Sequence, residues 1–275
     1  MDVEALLRRI GLDARPAPTV EGLRRVHRAY VGAVPYEDLS VQLGESAPLD
    51  VEALAARLLS GGRGGYCFEV NGVLAELLRS LGFAVTMHES VVDERSSGAP
   101  TNHLALSVAV DGRRFLAEAG WGEGWVEPLP LEPGAHTLGP FTWTVSPVPG
   151  GWWIDQHAWG STPGFFIAAA PAAYADFEPH HRRLSTDPES HFVQTLVVQQ
   201  PHADLIVTLR ARTLSVVGPG VDERHVCADA DDFAAVLAGS FGIDPDALGP
   251  ERLHRLWDQA GEQHARWLAA RTADG

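Results

Sequence analysis

The sequence predicts an α+β fold with helices and strands segregated along the chain, and three observations lead there. From Met1 to Gly82 apolar residues recur at helical spacing, from Phe83 the period changes to two, and after Asp229 the helical period returns. Strands do not alternate with helices as they would in a doubly wound sheet.

Leu6, Leu7 and Ile10 mark the apolar face of a first helix. Thr19, with Gly22 and Leu23, opens a second that runs towards Val34 and ends at Pro35. Asp50 suits the N-cap of a third over 51–60, with Leu54 and Leu58 on one face. After Gly61-Gly62-Arg63-Gly64-Gly65, the spacing of Val70, Leu74, Leu77, Leu78 and Leu81 gives a fourth helix stopping at Gly82. Cys67 therefore falls at or just inside a helix amino terminus. The segments 84–92, 103–110 and 113–119 read as strands, the last two joined by Asp111-Gly112, a pair suited to a type I′ turn. Further strands are expected at 141–145, 151–155, 193–200 and 204–217, forming a sheet or barrel. Helices close the chain through Phe233–Leu237 and over 250–271, where Leu253, Leu256 and Trp257 form the buried stripe.

Composition narrows the function. The chain has 275 residues, 45% of them hydrophobic, enough for a substantial core. It carries 21 basic and 36 acidic residues, a net charge of −15 that repels nucleic acids and anionic membranes. No apolar run is long enough to span a bilayer and the amino terminus is acidic, so a cytoplasmic protein is expected. Every basic residue is Arg, which excludes a pyridoxal Schiff base, a Walker A loop and a Ser-Lys nucleophile, all of which need an ε-amine. With only Cys67 and Cys227, neither a disulfide framework nor a thiolate metal cage can form, and no metal site is expected.

Cys67 follows two glycines and opens a helix, where unpaired N–H groups and the helix dipole favour a negatively charged sulfur and a developing oxyanion. A lone helix cysteine is ordinarily a packing residue, and Cys227, in Val226-Cys227-Ala228, keeps that reading. The hairpin supplies a partner for Cys67. With Asp111-Gly112 as its turn, Val110 faces Arg113, Ala105 faces Glu118 and His103 faces Gly120. Glu118 is then a same-face diagonal neighbour of His103, at about 7 to 8 Å, within reach of a long side chain. A carboxylate holding an imidazole is the base-and-orienter arrangement of nucleophilic sites. Ala105, Ser107 and Ala109 are small, and on that side of the strand the Cys67 helix is expected to pack.

Arg63-Gly64-Gly65-Tyr66-Cys67-Phe68-Glu69-Val70-Asn71 resembles the RGG-x-C-x-E-x-N signature of the arylamine N-acetyltransferases. Pro35-Tyr36-Glu37-Asp38-Leu39 resembles their PFENL segment and Thr101-Asn102-His103-Leu104 their histidine strand; Glu118–Gly122 and Asp187–Phe192 continue the likeness in the family's order. The resemblance implies a helical bundle (1–83), a β-barrel (84–190) and an α/β lid (191–275), with a Cys, His and acid core like that of cysteine proteases. It implies an acyltransferase with Cys67, His103 and Glu118 as catalytic residues and acetyl-coenzyme A as co-substrate, without a permanently bound cofactor. The acceptor would be an arylamine or hydrazine and the kinetics ping-pong. Glu118 stands where the family usually has Asp, which moves the carboxylate by about 1.5 Å. Two other readings stay open. One is an amide synthase of the same family that uses the same thiol and takes its substrate from an acyl carrier protein. The other is a homologue impaired by Glu118.

Gly120, Gly122 and Gly124 are read as a flexible loop beside the site, with Gly122 and Gly124 the place where coenzyme A lies on the resemblance. Arg63 and Glu69 are expected to form an ion-pair network, with Glu37, around the nucleophile. His180, His181 and His191 fall in a polar turn region and are read as surface residues, and Trp152, Trp153 and Trp159 as core.

Overall fold

The computed structural model describes residues 1–93, 95 and 99–273. The N-terminal part contains α1 (Val3–Arg9), α2 (Val20–Ala33), β1 (Tyr36–Glu37), α3 (Leu39–Gln42), α4 (Val51–Gly61) and α5 (Cys67–Ser80). Side-chain caps start the expected helices: Thr19 Oγ1 accepts from the Gly22 N–H at 3.1 Å, and Asp50 Oδ1 from Glu52 at 2.8 Å. The middle holds β2 (Ala84–Val92), β3 (His103–Val110), β4 (Arg113–Leu116), β5 (Leu129–Pro130), β6 (Gly134–Leu138), β7 (Phe141–Val148), β8 (Gly151–Asp155) and β9 (Gly164–Ala168). After a 3-10 turn at Tyr174–Phe177 come α6 (Glu178–Thr186), α7 (His191–Gln194), β10 (Val197–Pro201), β11 (Ile206–Arg210), β12 (Thr213–Gly218) and β13 (Val221–Val226). The chain closes with α8 (Ala230–Phe241), α9 (Pro245–Leu248) and α10 (Pro250–Ala273). Among the described residues no helix is long and apolar enough to cross a membrane.

The fold is α+β. An eight-stranded antiparallel sheet, ordered β5-β4-β3-β2-β9-β8-β7-β6, curls into a nearly closed barrel around Trp125, Trp143, Ile154 and Phe165. A second sheet, β1-β10-β11-β12-β13, packs one face on α8 and α10 through Val198, Leu209, Phe233 and Leu256. β1 lies in the N-terminal part yet pairs with β10, Tyr36 opposite Gln199, so a segment of the N-terminal part is fastened to the C-terminal sheet. A third cluster joins α2, α4 and α5 to Leu104, Leu106 and Val108 of β3.

Several elements depart from expectation. The β3–β4 hairpin has the expected register, Val110 opposite Arg113 through Ser107 opposite Leu116, but the strand expected over 113–119 stops at Leu116. Beyond it the backbone finds other partners: the Glu118 N–H donates to His27 Nε2 at 3.0 Å, and Ala119 and Gly120 to Asn71 Oδ1 at 3.0 and 3.1 Å. Helix α5 packs on the Leu104–Leu106–Val108 face of β3, not on the Ala105 side, which looks into the barrel core. The segment expected as one strand over 204–217 is two, because Ala211 turns the chain with φ +50. The strand expected from 193 begins at Val197, since Ser190 caps the short α7 and accepts from the Phe192 N–H.

Candidate active site

Cys67 is the first residue of α5, which gives it helix N–H groups with no carbonyl inside the helix to bond. Its approach depends on Gly65, whose φ of +143 suits a residue without Cβ; a Cβ there would meet the Glu69 carboxylate and lie 2.6 Å from Arg57 Nη2. Glu69 Oε2 reaches back to accept from the Tyr66 N–H at 3.2 Å, the returning half of a capping box. Glu69 Oε1 is paired with Arg57 at 3.0 Å, and Arg57 also donates to the Gly64 carbonyl. Arg63 grips Glu37 through both Nε and Nη2 at 3.2 Å. Ser40 Oγ accepts from Arg57 at 3.1 Å and Arg63 at 3.0 Å, joining the pairs. Burial alone would raise the Glu37 carboxyl, but the guanidinium of Arg63, with Arg57 behind it, holds it below the usual carboxylate range. The network expected from sequence is present with different pairing, and Arg57, not Arg63, takes Glu69.

His103, the first residue of β3, and Glu118 are each 2% exposed, with His103 Nε2 3.2 Å from Glu118 Oε2. Glu118 Oε1 accepts from the Gly120 N–H at 2.8 Å and from Asn71 Nδ2. Burial alone would lower the imidazole's pKa; the Glu118 carboxylate outweighs it and, with a hydrogen bond to Cys67, lifts the ring to about 10. An imidazolium beside the sulfur is the counter-ion a thiolate requires. The Cys67 thiol lies 3.8 Å from the Asn102 carbonyl oxygen, and the rings of Trp121 and Phe165 meet His103 edge-on at 5.7 and 5.4 Å. A cavity of about 670 Å³ opens onto this group, lined among others by Tyr36, Cys67, His103, Trp121, Gln199 and Arg210.

The backbone around Glu118 is fixed from behind. His27, fully buried on α2, donates through Nδ1 to the Val126 carbonyl at 3.2 Å and accepts the Glu118 N–H at Nε2 at 3.0 Å, with the Glu118 carbonyl oxygen 3.1 Å from the same nitrogen. Burial pushes its pKa down to about 4, so it is neutral at pH 7. Gly120 lies so close to α5 that a Cβ would stand 2.6 Å from Cys67 Cα and 2.7 Å from Asn71 Nδ2. Gly122 lines the cavity against Gln199, whereas Gly124 packs on Trp121 away from the lining. The loop expected to be flexible is buried at Trp121, Glu123 and Trp125, and Glu123 accepts from Ser161 N at 2.7 Å and Gln199 Nε2 at 3.1 Å.

Other residues lie apart from these. His181 is not at the surface: it is buried on α6, where Tyr66 Oη meets Nδ1 and Nε2 donates to the Ala47 carbonyl at 2.8 Å. His180 is half-buried on the same helix, and His191, on α7, is exposed as expected, at the rim of the cavity. Trp153 is core and Trp152 half-buried, but Trp159 is 38% exposed. Cys227 is buried, its thiol pushed up to about 11 mainly by burial. Donor atoms of His225, Cys227 and Asp232 lie within 4.8 Å of one another, a grouping that no Cys spacing announces, but His225 is already bonded to Asp232 at 2.8 Å. The sequence signal for His27 is a histidine on the otherwise apolar Leu23–Val26–Tyr30 face of α2.

Residues 19–248 match the family model described as N-acetyltransferase. The arylamine N-acetyltransferase of Mycolicibacterium smegmatis is 34% identical over 269 residues, covering 89% of this chain and 92% of the relative. Human arylamine N-acetyltransferase 1 is 32% identical over 57% of this chain and 56% of its own length. Among solved structures, Mycobacterium marinum arylamine N-acetyltransferase in complex with CoA superposes with a TM-score of 0.85 at 26% identity, covering 94% of this chain and 98% of the other.

Proposed function

The chain belongs to the arylamine N-acetyltransferase family and is an acyltransferase, and on that footing we propose that it carries an acetyl group from acetyl-coenzyme A to an arylamine or hydrazine through a thioester on Cys67. The observation that carries this reading is the buried His103–Glu118 pair at 3.2 Å beside Cys67 at the head of one cavity.

In the first half-reaction the Cys67 thiolate attacks the thioester carbonyl while helix N–H groups face the developing oxyanion. The imidazolium of His103 gives its proton to the departing coenzyme A thiolate, leaving acetyl-Cys67 and a neutral ring. In the second, the amine attacks that carbonyl, His103 takes the ammonium proton, and collapse of the tetrahedral adduct releases the amide and the thiolate. Glu118 accepts from His103 Nε2–H throughout and fixes the tautomer. The longer side chain suits this backbone: the chain leaves the β3 ladder after Ala117, whose N–H still donates to the Leu106 carbonyl at 3.1 Å, and Glu118 turns back under the ring. That geometry supports an active enzyme over an impaired homologue.

Steady-state kinetics test the reading. Varying acetyl-coenzyme A at several arylamine concentrations should give parallel double-reciprocal lines, with acetyl-Cys67 recovered by peptide mass spectrometry. Intersecting lines, or label on Cys227, would refute it.

A further inference from the structure

Cys67 and His103 are each the first residue of an element, α5 and β3, and each is reached from irregular chain. Further along, the two elements are joined directly, Asn71 Nδ2 donating to the Leu104 carbonyl at 2.7 Å. At their heads a third stretch of chain touches the entry to both. It covers residues 172–186, the 3-10 turn and α6, and it leaves the barrel where the Ala172 N–H donates to the Met87 carbonyl at 2.9 Å.

On the nucleophile's side this stretch makes two contacts. Tyr174 Oη donates to the Phe68 carbonyl at 3.0 Å and presses so closely on α5 that a Cβ on Gly72 would stand 2.3 Å from the hydroxyl. His181 takes hold of Tyr66, the residue before Cys67: its Nε2 donates to the Ala47 carbonyl at 2.8 Å, which leaves Nδ1 to accept from the phenol. Phe192 and Phe68 hold the Tyr66 ring at centroid distances of 4.8 and 5.5 Å. On the base's side, Arg183 Nη2 donates to the Thr101 carbonyl at 2.9 Å, two residues before His103. Its neighbour Arg182 pairs with Glu178 at 3.9 Å, whereas among the described residues Arg183 has no carboxylate within 4.0 Å.

These polar contacts add little to the fold itself. Tyr66 and His181 are fully buried, and two apolar rings could fill the same space at small cost; a satisfied polar pair adds a fixed direction. We propose that residues 172–186 set the separation of the Cys67 thiol from the His103 imidazole, with His181 and Arg183 as positioning residues. His181 fixes Tyr66 and, through it, the first turn that carries Cys67; Arg183 fixes the entry to β3 and so His103. The inference rests on the reading that Cys67 and His103 react as a pair, for which a displacement of about 1 Å costs up to about 10²-fold in rate.

Two variants test it. Arg183→Ala changes an exposed side chain, and Tyr66→Phe removes one hydroxyl while keeping the ring. With p-nitrophenyl acetate, a donor that carries no nucleotide, the burst rate of acylation should fall about tenfold in each variant while KM stays within about twofold of the parent. Arg183→Lys keeps one N–H donor for the Thr101 carbonyl and should recover most of the rate. A merely structural role would not move the His103 imidazole, whose pKa of about 10 owes part of its elevation to Cys67; with the gap widened, NMR titration should find it lower in both variants. Parental burst rates in both variants, or slowed rates with an unmoved His103 titration, would overturn the inference. Should Tyr66→Phe fail to fold, Arg183→Ala and Arg183→Lys decide. If neither this ester nor acetyl-coenzyme A acylates the parent, the acyl-transfer reading fails, and alkylation of Cys67 by iodoacetamide reads the spacing instead: slower alkylation in both variants upholds the positioning role and equal alkylation refutes it.

Discussion

His27 ties the pH dependence of folding to the geometry of Glu118. Its pKa is about 4 in the folded chain against 6.5 for a free imidazole, because burial outweighs its carbonyl contacts. A base with a depressed folded pKa binds more protons when unfolded, so its contribution is complete above pH 6.5 and is lost as pH falls towards 4. The shift amounts to about 3 kcal/mol in all, of which about 2 kcal/mol disappears between pH 7 and pH 5. Glu37, with its lowered carboxyl, and His88, with its lowered imidazole, act in the same direction, so the parent alone cannot isolate His27. His27→Gln keeps an acceptor for the Glu118 N–H and does not titrate. Urea unfolding at pH 7 and pH 5 should find the stability gap between parent and variant closing by about 2 kcal/mol on acidification. Parallel behaviour of the two proteins would refute the reasoning, and an NMR titration placing His27 near 6.5 would do so independently.

Glu118→Gln should fold normally and lower the acylation rate by about 10³- to 10⁴-fold. With the amide oxygen taken by the Gly120 N–H and Asn71, its NH₂ faces His103 Nε2 and forces the wrong tautomer; stopped-flow acylation at the parental rate would exclude Glu118 as orienter. Gly120→Ala should cost about 1–3 kcal/mol and abolish acylation, because the new methyl meets the Cys67 backbone, which cannot swing away; an active, equally stable variant would show that the close approach is not required. Asp38 is buried, with Oδ1 accepting from Val197 N at 3.0 Å and Oδ2 without a partner among the described residues, and burial holds its carboxyl well above the usual range. A raised folded pKa means that stability falls as pH rises above 3.8, so Asp38→Asn should gain about 1 kcal/mol at pH 7 and little at pH 4; a loss at pH 7 in denaturant titrations would contradict this.

What the sequence made legible was mostly local. Caps at Thr19 and Asp50 and the Asp111-Gly112 turn announced their elements, and the turn set the register as far as Ser107 opposite Leu116, two residues short of Glu118. The same rule could not announce where the ladder stops, because Ala117 to Gly120 alternates as a strand does; the acceptors that draw it away, His27 and Asn71, lie 91 and 48 residues from the Glu118 and Ala119 N–H groups that donate to them. The choice of face for α5 was equally non-local, since β3 is buried on both sides and small residues on one of them carry no label for what fills it. β13, with exposed Asp222, Glu223 and Arg224, reads as a polar loop, and only its pairing with β12 makes it a strand. Arg57 lies on α4, beyond the run of residues around Cys67, and only folding sets its guanidinium against Glu69.

The most direct test asks whether the acyl group on Cys67 is the one delivered to the amine. Enzyme treated with radiolabelled acetyl-coenzyme A and freed of donor by gel filtration should transfer its label to an added arylamine in a single turnover, yielding one equivalent of N-acetylarylamine as the label leaves Cys67. Label that stays on Cys67, or is lost to water at the same rate with and without the amine, would contradict the proposed role of this thiol.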